Sequence, residues 1–419
     1  MQANKGWNLQ YGGRVKLEPK NSRKGRTKTM ANRAVIKFGG ADLATGEKIR
    51  KAAKMVAESG YKEIVVVVSA MAGVTDNLTK LISEIGIADA QDYADIVSMG
   101  ERTSARILCS ALRSLGVESE YFDPSQENWP IITDSNFKDA TPNMEKTCER
   151  VRLFVEPLLG KKVVVVCGFL GRDEEGHITT LGRGGSDTTA MVLGNCLKAE
   201  EIVLVKETEG VMSADPKIVP EAKPLKKLDI HEMFALSHGG AKIIKAEALK
   251  FKLPDQKLRV VSFFNGISSG GTEISGVFNS SSCEITDKKG LVAVSMICSI
   301  EPSNVSKIIA SFGNRPIYGI STGKVSLTVF TSSEEPNKLI SELHRSELCK
   351  ALSLRTNVGL IEVTHPSFID SPGWVAKVSG ALASKNINII EVTSSKATIS
   401  IFIDDKLVED ALKVVRDIV

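Results

Sequence analysis

Thr179-Thr180-Leu181-Gly182-Arg183-Gly184-Gly185-Ser186-Asp187-Thr188-Thr189-Ala190 packs three glycines, one guanidinium and one carboxylate into a turn that leads into a helix. The glycines let backbone approach a ligand, the new helix offers unpaired N–H groups and a positive dipole end, and Arg183 can fork onto a carboxylate or phosphate. The turn is suited to holding anions. Apolar runs lie on either side of it, Lys162 to Cys167 and Ile202 to Val205. Upstream, Ala34-Val35-Ile36-Lys37-Phe38 is followed by Gly39-Gly40, a helical stretch near 46–59 and the run Ile64 to Val68. Continuous Val/Ile runs, without alternation, mark strands covered on both faces, as in parallel sheets. With further helices near 100–115, 187–198 and 231–250, right-handed crossovers predict a three-layer α/β/α sandwich with ligands at the carboxyl ends of its strands.

A chain of 419 residues, 42% hydrophobic and 25% charged, exceeds one ordinary core and has soluble globular composition. The polar stretch after residue 276 predicts a linker over 279–289, following an α/β unit over 30–278. Beyond it the pattern strand, helix, strand, strand, helix occurs twice, over 290–353 and 354–419. Two ferredoxin-like α+β modules fit this repeat.

The net charge of +4 is concentrated at one end, where residues 1–30 hold eight Lys or Arg against the single acid Glu18. The remainder is nearly balanced, so a nucleic-acid partner is not expected, and residues 1–29 read as a disordered basic tail. That tail lacks an apolar core, which argues against a secretory signal and leaves a transit peptide or an extension open. No apolar run reaches the roughly 18 residues of a membrane span. Seven cysteines and five histidines are scattered, without C-x-x-C or H-E-x-x-H patterns. Reduced thiols in a cytoplasmic protein, with no His or Cys metal site, are therefore expected.

Lys37 with Gly39 and Gly40 puts an ammonium and an approachable backbone at a strand end. Ser69-Ala70-Met71-Ala72-Gly73-Val74-Thr75 leaves another strand, with Ser69 and Thr75 either capping a helix or facing a ligand. Glu101, read as lying at the front of a helix, either complements the helix dipole or meets a substrate ammonium. Arg183, Asp187 and Glu101 together suit a small amino acid. Lys242, which follows Gly239-Gly240, adds a second cation of the kind that phosphoryl transfer requires. No G-x-x-x-x-G-K-[ST], H-R-D or D-F-G motif is present, which excludes P-loop enzymes and protein kinases.

These stretches, with Gly168-Phe169-Leu170-Gly171 and Ala214-Asp215-Pro216-Lys217, resemble the aspartate kinase family in order over about 34–278, and the repeat after 290 resembles its ACT modules. The resemblance implies the amino-acid kinase fold and ATP-dependent phosphorylation of the L-aspartate side-chain carboxylate, at the head of lysine, threonine and methionine synthesis. It implies catalytic roles for Lys37, Arg183 and Asp187. It further implies aspartate binding by Ser69, Thr75, Glu101, Arg183, Ser186 and Asp187, and nucleotide contacts from Lys37, Gly39, Gly40, Lys206, Glu207, Met212, Lys217 and Lys242. ATP would bring Mg²⁺ on its phosphates, with no separate protein metal site. An amino-acid effector would sit near Asp370, Ser371, Pro372, Gly373 and Asn388, in a homodimer or homotetramer. Ala41-Asp42 stands where the family usually has Thr-Ser, and Lys206-Glu207 also departs from its pattern. A sibling kinase with another carboxylate acceptor, or a decayed ACT-domain sensor, remains the alternative.

Overall fold

The computed structural model describes residues 32–419, apart from 88, 242, 269, 278–283, 366, 367, 369–371 and 396 and the side chain of 238. The basic tail 1–29, Lys242, Asp370 and Ser371 therefore lie outside the described residues.

In the first unit the apolar runs form strands and the stretches between them form helices. They are β1 (Arg33–Phe38), α1 (Gly46–Ala57), β2 (Glu63–Val68), α2 (Val74–Ile85), α3 (Ala90–Ser114), β3 (Ser119–Phe122), α4 (Met144–Arg150), β4 (Val163–Cys167), β5 (Leu170–Arg172), β6 (Ile178–Thr180), α5 (Gly185–Cys196), β7 (Glu201–Lys206), β8 (Lys227–Asp229), α6 (Ile230–His238), β9 (Lys257–Ser262) and β10 (Thr272–Ser275). Eight strands make one sheet in the order β3-β4-β2-β1-β7-β9-β10-β8. Every neighbouring pair is parallel except β9 with β10. Ala34–Phe38, Ile64–Val68 and Val163–Cys167 are buried throughout, which matches strands covered on both faces in a three-layer α/β/α arrangement. Phe38 lies opposite both Val68 and Val205, and Val68 opposite Cys167. The four central strands thus end level, and their following loops share one edge.

The second unit contains β11 (Glu284–Ile297), α7 (Pro302–Ser311), β12 (Ile317–Thr322), β13 (Ser326–Ser332), α8 (Pro336–Arg345), β14 (Ala351–Thr364), α9 (Trp374–Ser384), β15 (Ile389–Ser395), β16 (Thr398–Asp404) and α10 (Val408–Arg416). Its strands make a single antiparallel sheet, β12-β13-β11-β14-β16-β15. Each copy of the repeat supplies three strands, and the 14-residue β11 and β14 join the copies edge to edge. Phe330 of the first copy stacks on Phe402 of the second, with ring centroids 3.8 Å apart and planes 16° from parallel.

Three expectations are corrected here. Residues 284–289, expected in the linker, are strand, because Glu284–Lys288 pair with Thr364–Leu360. The helix expected over 231–250 stops at His238, where Gly239-Gly240 follows and Gly240 takes φ +103°, a conformation favouring glycine. Finally, Cys148 and Cys196 form a disulfide, with Cα atoms 4.7 Å apart. Packing of α4 near the end of α5 unites residues 48 positions apart, a proximity that spacing along the chain does not reveal. Cys109, Cys167, Cys298 and Cys349 are free thiols. Among the described residues no helix is long and apolar enough to cross a membrane.

Phe402→Ala should lower the stability of the second unit by about 3 kcal/mol, since it removes a fully buried ring from its stack. Denaturant unfolding followed in the C-terminal unit measures this, and a loss below about 1 kcal/mol would mean that the pair does not lock the two copies.

Candidate active site at the strand ends

Lys37, the penultimate residue of β1, is only 5% exposed, and its ammonium lies 2.8 Å from Asp187 Oδ1. Asp187 sits in the first turn of α5, which begins after Gly184 at φ +76°. Lys206, at the end of β7, approaches the same oxygen at 3.9 Å, and the backbone N–H of Lys245 donates to Asp187 Oδ2 at 3.3 Å. Burial opposes the charge on Asp187, but Lys206 and Lys37 outweigh it and hold its carboxyl below the usual range. Burial pulls the Lys206 ammonium down to about 8.

The loop after β2 closes the other side. Ser69 Oγ donates to Ser186 Oγ at 3.0 Å, which ties this loop to the first turn of α5. The N–H of Ala70 donates to Glu101 Oε1 at 3.0 Å, while Glu101 Oε2 is buried without a hydrogen-bond partner. Burial raises the Glu101 carboxyl to about 7, against the Ala70 N–H. Glu101 is not at a helix front, as the sequence reading had it. It lies mid-way along the 25-residue α3, because Asp89 caps that helix by accepting from the N–H groups of Gln91 and Asp92. The dipole explanation for this acid therefore falls away. The capping role for Ser69 or Thr75 falls too: α2 starts after Gly73 at φ +81° with no side-chain cap, leaving Thr75 half-buried in its first turn.

Glycine is required where these loops touch. A Cβ on Gly40 would lie 2.6 Å from the Ala70 carbonyl oxygen, and one on Gly168 would lie 2.7 Å from Ser186 Cβ. Beside Gly39, Asp42 is buried, its Oδ2 accepting from the Gly39 N–H at 2.8 Å.

The structure thus brings together Lys37, Gly39, Gly40, Ser69, Glu101, Ser186, Asp187 and Lys206. Arg183 is exposed in the glycine turn, without a side-chain partner among the described residues. Glu207 leans away to pair with Lys48 at 2.7 Å. Met212 is half-buried, bridging to Pro224, and Lys217 is exposed in the following turn; among the described residues neither hydrogen-bonds to the cluster. Pro372 and Gly373 are exposed before α9, and Asn388 is exposed before β15. Lys245 was missed as a site residue: its Nζ donates to the Leu181 carbonyl at 3.0 Å and lies 3.5 Å from Asp139, bracing the glycine turn. Nothing local to the sequence marks it.

Residues 32–262 match the amino acid kinase family, and residues 354–417 match the ACT domain. An aspartate kinase of Stutzerimonas stutzeri is 31% identical over 406 residues, spanning 90% of this chain and 95% of that one. The chain belongs to the aspartate kinases of the amino acid kinase family. An aspartokinase of Pseudomonas aeruginosa is likewise 31% identical over 417 residues, with 90% and 95% covered. The crystal structure of the Synechocystis aspartate kinase superposes with a TM-score of 0.70 at 25% identity, over 92% of this chain and 69% of that one. Escherichia coli aspartokinase III, in complex with aspartate and ADP, shares the fold at 20% identity and a TM-score of 0.54, over 92% of this chain and 99% of that one. Among aspartate kinases the sibling-kinase and decayed-sensor readings are not favoured.

Gly40→Ala should lower kcat/KM of this aspartate kinase on the order of 100-fold, because the added methyl displaces the Ala70 carbonyl and, with it, the N–H that holds Glu101. Steady-state kinetics with intact thermal stability measure this. Unchanged kinetics would separate that contact from the active site.

Proposed function

We propose that the aspartate kinase reaction of this enzyme runs between the loop after β1 and the turn before α5. A side-chain carboxylate oxygen of L-aspartate attacks the γ-phosphorus of ATP, the bond to the bridging oxygen breaks, and ADP leaves with that electron pair. The product is 4-phospho-L-aspartate, an acyl phosphate. The acceptor is already a carboxylate, so the reaction needs no covalent enzyme intermediate and depends on positioning and charge.

Lys37 and the N–H groups around Gly39 and Gly40 would hold the phosphates. Asp187 would keep the Lys37 ammonium aimed and Lys206 charged. Arg183 would fork onto the α-carboxylate of aspartate, with Ser69, Thr75 and Ser186 lining the same pocket. Glu101 would receive the substrate ammonium. The observation that carries this reading is its Oε2 atom, buried without a partner beside a loop bonded to Ser186. A buried anion needs such a cation.

Magnesium fits the donor chemistry: Asp42 Oδ1 is a buried carboxylate oxygen without a partner, a hard ligand of the type Mg²⁺ prefers. Bound with the nucleotide, the ion would neutralise charge that develops on the phosphates. At the ACT repeat, an amino-acid effector near Gly373 and Asn388, and self-association into a dimer or tetramer, complete the proposal.

Release of ADP that depends on L-aspartate, with other amino acids inactive, tests the reading. In that assay Arg183→Ala should raise the KM for aspartate on the order of 100-fold while leaving that for ATP within a few-fold. Equal losses for both substrates would remove Arg183 from the aspartate pocket. Because Glu101 titrates near 7 and must be ionised to meet an ammonium, kcat/KM for aspartate should fall about tenfold per unit as pH drops below 7. Glu101→Gln should lose that inflection, and a flat wild-type profile from pH 6 to 8 would contradict the role.

A further inference from the structure

The nucleotide edge of the site carries less positive charge than its lysines suggest. Lys37 and Lys206 are matched by Asp187 and Asp42, and Lys37 is already paired with Asp187 at 2.8 Å. Asp42 is the unexpected member. It follows the Gly39-Gly40 pair in a short 3₁₀ turn, Ala41–Leu43, and is 1% exposed. Its Oδ2 accepts from the Gly39 N–H, one of the donors a phosphate would use, and its Oδ1 is buried without a partner. A Cβ built on Gly39 would lie 3.3 Å from Asp42 Oδ2 and 3.9 Å from Lys37 Nζ. Carboxylate and ammonium therefore border the same space.

A polyphosphate entering that space meets a fixed negative charge. Like charges held this close in a water-poor site repel strongly. Lys206 cannot relieve this freely, being 3.9 Å from Asp187. A divalent cation shared by carboxylate and phosphate turns the repulsion into attraction. One carboxylate with phosphate oxygens is also the usual way a protein holds magnesium.

We propose that Asp42 is a protein ligand for the magnesium ion that travels with the nucleotide, with its Oδ1 and the phosphate oxygens sharing the ion. The inference rests on the aspartate kinase reading, which places the phosphates at Gly39-Gly40. Its consequence is an enzyme that discriminates sharply between the metal-bound nucleotide and the bare one.

The test is equilibrium ADP binding to the full chain by calorimetry, with magnesium or with EDTA and without aspartate. Wild type should bind ADP on the order of 100-fold more tightly with magnesium. Asp42→Asn keeps an acceptor for the Gly39 N–H and removes the charge. It should bind ADP in EDTA on the order of tenfold more tightly than wild type, with the magnesium effect reduced to a few-fold. Asp42→Ser, which removes the carboxylate altogether, should behave as Asp42→Asn does and serves if that variant does not fold. Manganese in the wild-type ADP complex should give a paramagnetic resonance spectrum that either substitution alters. The same magnesium dependence in wild type and variants would overturn the proposal. Uptake of one proton by wild type in EDTA that the variants lack would also overturn it, since a neutral carboxyl donating to phosphate would then explain the buried oxygen. Failure of the underlying reading would show separately, as wild type that binds ADP yet releases none from ATP with L-aspartate.

Discussion

Two charges, Lys37 and Asp187, meet almost out of reach of water. Desolvating them costs several kcal/mol per ion, and removal of either partner leaves a buried charge worth on the order of 3–5 kcal/mol of destabilisation. That constraint fixes the geometry around them. β1 must present its lysine at the sheet edge, and α5 must begin where its first turn reaches that lysine. The glycine turn before α5 satisfies this requirement with positive φ at Gly182 and Gly184, and Lys245 braces it from behind. The pair thus couples the glycine loop after β1 to a turn that offers a guanidinium and a helix N-terminus.

Around this pair the strand ends act as a template. β4, β2, β1 and β7 end level, so their loops touch and each constrains the next. Gly40 abuts the Ala70 carbonyl and Gly168 abuts Ser186. Ala70 in turn holds Glu101. The charges at these strand ends are consequently set by backbone packing more than by flexible side chains, and preorganisation of this kind lets electrostatics lower a barrier without rearrangement during the reaction.

Much of this was legible because it is written in local signals. Continuous Val and Ile runs mark the parallel strands, and the glycine clusters mark the loops at their carboxyl ends. Glu101 was found through its neighbours in sequence but misplaced on its helix: Asp89, the true cap, stands twelve residues earlier, before a polar first turn that hides the helix start. The stretch Glu284 to Gly290 reads as loop because four of its residues are charged and one is glycine. Pairing with β14 overrides that composition, as tertiary context often does for strands. The Cys148–Cys196 bond and the Lys245 brace join residues far apart in the chain, and spacing carries no trace of such contacts. Asp42 was legible as a departure, but only its burial shows that one oxygen lacks a partner.

The most direct measurement is a double-mutant cycle on kcat/KM for ATP with Lys37→Met and Asp187→Asn. If the buried pair acts as a unit, the double variant loses little more than the worse single variant, a coupling of at least about 2 kcal/mol. Additive losses, within about 0.5 kcal/mol, would show that the two residues act independently and would contradict the account.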